Sequence, residues 1–130
     1  MSYYISTTIQ ASFDEAIAKT EKALSQQGFG VVTRIDMRET LKQKIGADFR
    51  PYTILGACNP KAAHEALQVE DKVGTMLPCN VIVQQLGEDR IEVAAIDPVA
   101  SMQAIDNPDL KQAASEIRES LSNAIASLGS

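Results

Sequence analysis

The sequence predicts an α+β fold, with a largely antiparallel sheet and helices packed on one of its faces. Two observations carry this. Strand-like runs and helix-periodic runs are interleaved in the order strand, helix, strand, strand, helix, strand, strand, helix. Two of the strand runs, Cys79 to Leu86 and Ile91 to Ile96, are separated only by Gly87-Glu88-Asp89-Arg90, which marks a hairpin. At 130 residues, with no linker and no low-complexity tract, the chain is read as a single domain over 1–130.

Tyr3 to Ile9 alternates as a first strand. Ser12 and Glu15 form a capping-box pattern, and Phe13, Ile17, Thr20 and Leu24 recur at helical spacing up to Gly28, a left-handed terminator. Gly30 to Met37 reads as the second strand. Arg38 to Ile45 is charged, and reads as a short helical turn ending at Gly46 or as an irregular segment. Pro51 to Cys58 is the third strand, and its Gly56 marks a place where another group approaches the backbone. Asn59-Pro60 starts a helix, because Asn caps well and Pro is tolerated at the first helical position. Glu70 to Gly74 breaks it. Asp97-Pro98 ends the last strand. Asn107-Pro108 repeats the helix start, and Leu110, Ala114, Ile117, Leu121, Ala124 and Leu128 follow as one apolar stripe. That stripe is expected to cover the sheet, with pairing against a second copy as the alternative use.

Composition excludes several function classes. The chain carries 17 acidic and 12 basic residues, a net charge of −5, and no basic stripe able to displace counterions from phosphates. Nucleic acid is therefore not an expected partner. No run approaches the ~18 apolar residues that a membrane helix needs. The first residues lack both a basic region and an apolar signal core, so a cytoplasmic location and no membrane partner are expected. There is no glycine-rich phosphate loop, no Gly-x-Ser-x-Gly and no His-Glu-x-x-His, so no nucleotide, flavin or hydrolase assignment follows from motif.

The two cysteines carry the functional lead. Cys58 closes the run 52–57, and Cys79 opens the run 81–83; each is followed by Asn, and each falls at a predicted strand end. Cys58 directly precedes a helix start, where partial positive charge favours a thiolate. Their separation of 21 positions lacks zinc spacing, and no metal site is expected from it. The competing reading is structural, since free Cys is among the most buried residue types. His64, the single histidine, reads as an exposed helix residue, and Met76 and Met102 read as core filler. Asp97 and Asp36 end strands. They suit acid–base work only if the fold brings them together, and Asp before Pro is a common turn former.

The segments Leu55-Gly56-Ala57-Cys58-Asn59-Pro60 and Leu77-Pro78-Cys79-Asn80-Val81, with Ala63, Ala66, Leu67, Gly74 and Asp97-Pro98 around them, resemble domain-of-unknown-function family 302. That family consists of small bacterial and archaeal domains, and the resemblance covers nearly the whole chain. It implies a curved antiparallel sheet similar in outline to the TATA-binding-protein-like fold, and a homodimer. It implies no activity, and fold outline alone is no argument for DNA binding.

The leading expectation is a homodimeric domain that binds a small ligand beside Cys58 and Cys79, with Asn59, Asn80 and Asp97 as further contacts. No cofactor is assigned. Three other readings compete. In one, a thiol-based sulfur carrier or redox protein uses Cys58 as attacking thiolate and Cys79 as resolving partner. In another, a soft metal or haem-associated site uses the cysteines with His64 or Met102. In the last, the chain is a protein-interaction module with both cysteines in its core.

Overall fold

The computed structural model describes residues 2–129. Among these, five strands form one sheet, β1 (Tyr4–Gln10), β2 (Gly30–Asp36), β3 (Tyr52–Cys58), β4 (Cys79–Gly87) and β5 (Arg90–Ile96), in the order β1-β5-β4-β3-β2. Every neighbouring pair is antiparallel. The class is therefore α+β, as the interleaved pattern predicts. No described helix is long and apolar enough to cross a membrane.

Local chemistry explains the ends of the helices. α1 (Phe13–Gln26) starts where Ser12 Oγ accepts from the Glu15 amide at 3.2 Å. Glu15 returns its carboxylate to the Ser12 hydroxyl at 2.9 Å, so the capping-box residues pair through their side chains. The helix ends in a Schellman arrangement: Gly28 at φ +86° donates to Ser25 O, and Phe29 donates to Leu24 O. The ambiguous stretch after β2 is a full helix, α2 (Met37–Ile45). Asp36 caps it through the Glu39 amide, and Gly46 closes it at φ +67°. Asp36 is thus a helix cap and lies apart from Asp97. α3 (Pro60–Val69) starts on Asn59, whose Oδ1 accepts from Ala62 N at 3.2 Å. A 3-10 segment, Asp71–Met76, follows it, and a single turn, α4 (Pro98–Ser101), follows β5.

α5 (Pro108–Leu128) spans the molecule. Its stripe of Leu110, Ala114, Ile117, Leu121, Ala124 and Ile125 is buried within the chain, so it covers the sheet and the turns beside it. Alternation does the rest. Leu55 and Ala57 on β3, Val81 and Val83 on β4, and Ile91, Val93 and Ala95 on β5 point to α1 and α5 and form the main core. A satellite core of Ala66, Val73, Met102, Leu110 and Ala114 fills the end where α3, α4 and α5 meet. The outer edge, β2, is bulged between Val31 and Thr33 and is tied to α1 by an Arg34–Glu21 ion pair.

The other face of the sheet follows from the same register. One row runs Thr8, Glu92, Gln84, Tyr52. The next runs Ser6, Ala94, Ile82, Ile54, Ile35. Beyond the last β4–β5 pair, Tyr4 stands opposite Ile96 on one side, and Asn80, Gly56 and Thr33 form a row on the other.

Candidate functional site

The two cysteines sit at the end of β3 and the start of β4, where the main core meets the satellite core. Both line one cavity of about 20 Å³, closed by Phe29, Ala57, Ala66, Met102, Leu110 and Ala114 among others. A water molecule needs roughly 10–15 Å³ of such space, so the cavity has room for about one water-sized species. Cys58 is half-buried and Cys79 is buried; neither is in a disulfide.

The chain reaches this geometry for identifiable reasons. Gly56 lets the ladder close at this end: a Cβ there would run into the Thr33 side chain and lie 2.7 Å from Pro78 Cγ. Pro78 follows a cis Leu77–Pro78 bond, and Leu77 is extended at φ −119°, ψ 151°. In the β3–β4 register Ala57 stands opposite Cys79, and Cys58 lies one residue further on. Cys58 thus lies just past the last β3–β4 pair, and the cavity at this end of the sheet is bordered by both cysteines. Burial first, and the neighbouring Cys58 second, push the Cys79 thiol from 9.0 up to about 11. At neutral pH Cys79 is a protonated, weakly nucleophilic thiol.

The other sequence-predicted residues divide. Asn59 lines the cavity, with its oxygen used as the α3 cap. Asn80 is exposed on the far face of the sheet, in a hollow with Tyr3, Tyr4 and Tyr52. Asp97 is buried at the start of α4. Its Oδ1 accepts from Val99 N at 2.9 Å and Ala100 N at 3.4 Å, and its Oδ2 accepts from Arg118 Nε at 2.9 Å. Asp97 therefore ties α4 to α5, and lies outside the cysteine cavity. Met102 joins the cysteines at the cavity wall, whereas His64 is exposed on α3 and pairs with Gln68 at 2.9 Å. Among the described residues no group of three His, Cys, Asp or Glu converges as a metal site.

Sequence reasoning missed a second polar constellation. Arg50 Nε donates to Gln84 Oε1 at 2.9 Å, and Gln84 Nε2 donates to Glu92 Oε1 at 2.8 Å, so one amide bridges a cation and a carboxylate on the open face. The Arg50 guanidinium lies 4.4 Å over the Phe49 ring. The available signal was that Gln84 and Glu92 occupy the outward positions of two hairpin strands.

Fold and site together define a small α+β domain with one helix-covered sheet face and paired cysteines at the sheet's end. The sequence matches the family described as "Domain of unknown function DUF302" over residues 5–128, and the chain belongs to that family. It is similar to the crystal structure of an uncharacterized conserved DUF302 protein from Bacillus stearothermophilus, with a TM-score of 0.91 and 29% identity over 98% of this chain and 99% of that one. No curated protein matches it.

Proposed function

We propose that this chain is a ligand-binding domain that works as a homodimer, and that its ligand is a small species held beside Cys58 and Cys79. The observation that carries the reading is the shared cavity: two thiol residues far apart in sequence border one apolar space at the end of the sheet. Its size selects a ligand of one or two heavy atoms, and its lining selects an apolar or sulfur-seeking one. Cys58 and Cys79 are the contacts proposed, with Asn59 at the rim.

Thiol-carrier chemistry is the second reading, favoured by the contrast between a half-buried Cys58 at a helix start and a protonated Cys79 beside it. In it the Cys58 thiolate attacks the outer sulfur of a donor persulfide, forms its own persulfide and releases the donor thiol. A Cys58–Cys79 disulfide is the alternative outcome of the same chemistry; in this structure both thiols are free.

Iodoacetamide labelling of native protein, with Cys58→Ser and Cys79→Ser as controls, tests the site. Cys58 is expected to label in the folded state, and Cys79 only on unfolding. If neither labels until the protein unfolds, the cavity is sealed core and the ligand reading falls. Sedimentation equilibrium tests the dimer, which predicts twice the 14.0 kDa chain mass.

A further inference from the structure

The open sheet face holds a hollow of about 370 Å³, within the size range of small-molecule sites. Its shape comes from the strand register. Ala94 stands between Ser6 and Ile82, so the centre of the face carries small side chains, while Tyr4 and Ile96 rise on one side and Tyr52 and Gln84 on the other. Tyr3, Tyr4 and Tyr52, all the tyrosines in the chain, line it. Glu92, half-buried, also lines it. One of its oxygens accepts from Gln84; the other has no hydrogen bond or ion pair among the described residues. Gln84 also holds Arg50, whose guanidinium lies 4.4 Å over the Phe49 ring and 5.8 Å from the Tyr52 ring at the margin of the hollow; it makes no ion pair with Glu92.

We propose that this hollow binds a small organic cation, an amine or quaternary ammonium with an apolar body. The cationic head meets the free Glu92 oxygen and the tyrosine rings, and the body lies on Ala94 and Ile82. Aromatic faces attract cations through their quadrupole, and a carboxylate in a partly desolvated site adds a charge-assisted contact. The site is separate from the cysteine cavity and does not depend on the reading given to it.

The chain has no Trp, so its emission comes from tyrosines that all border this hollow. Titration with benzyltrimethylammonium, with benzyl alcohol and phenylacetate as neutral and anionic controls, therefore reads the site directly. The expected result is a saturable change in tyrosine emission with the cation, weak or no binding of the two controls, and about tenfold weaker cation binding in Glu92→Gln. Ala94→Leu fills the floor and is expected to abolish binding; an unchanged circular dichroism spectrum and melting curve for Glu92→Gln guards against misfolding as the cause. Equal binding of all three probes, wild-type affinity in Glu92→Gln, or no saturable response overturns the proposal. So does a tyrosine signal that changes only with protein dilution and tracks dimer dissociation, which assigns this face to a second copy.

Discussion

At the scale of single residues, Cys79 and Gly56 carry the strongest constraints. The Cys79 thiol is raised in the folded state, so between pH 9 and 11 the unfolded chain gives up a proton that the folded chain keeps. The stability associated with the buried neutral thiol is complete below pH 9 and is lost as pH rises toward 11. A shift of this size corresponds to about 2–3 kcal/mol. Urea unfolding of wild type and Cys79→Ala at pH 8, 9.5 and 11 isolates it, because the other alkaline titrations cancel in the difference. Parallel curves for the two proteins would show that Cys79 is not the source. Gly56→Ala places a methyl group against Thr33 and Pro78, and is expected to cost about 1–3 kcal/mol by overpacking. Thr33→Ala in the same chain should recover part of that loss. If it recovers nothing, the clash is with the Pro78 ring alone.

At the scale of elements, the ends of helices were the most legible part of the chain, because capping is local chemistry. Ser12, Asn59 and Asn107 each begin a helix with the side-chain bond that their residue type implies. Asn107 does more than cap: its Oδ1 takes the Asp109 and Leu110 amides, and its Nδ2 reaches Val69 O at 2.8 Å, fixing the end of α3 to the start of α5. Asn107→Ala is therefore expected to cost about 1–2 kcal/mol, more than Asn59→Ala, with thermal melts of the two variants as the comparison. α2 was ambiguous because its charged residues bury no face, so no apolar period announced it; only the Asp36 and Glu39 spacing and the closing Gly46 did. Strand existence was legible from alternation, but pairing order was not. β1 and β2 are consecutive strands placed on opposite edges of the sheet, and no local signal encodes that separation. The same holds for the site. The sequence placed both cysteines at strand ends, yet that they border one cavity depends on the β3–β4 register, to which Gly56 and Pro78 contribute by their close approach.

At the scale of the whole molecule, the strand order divides the sheet into regions of unequal stability. β4 and β5 are paired on both sides, and their inward residues Val81, Val83, Ile91, Val93 and Ala95 are essentially unexposed in the main core. β2 has one neighbour and a bulge, and exposes nearly every residue, with Val32 at 60% and Ile35 at 45%. Opening β2 uncovers little apolar surface, whereas opening β4 or β5 dismantles the core beneath α1 and α5. Native-state hydrogen exchange should accordingly show ladder amides of β2 exchanging through local opening, and those of Val83 and Val93 only with global unfolding. A β2 edge as protected as β4 would require contacts that the single chain does not supply. In a homodimer, dilution below the dissociation constant would then remove that protection while leaving β4 unchanged, which would place the second copy along β2 and leave the tyrosine face free for its ligand.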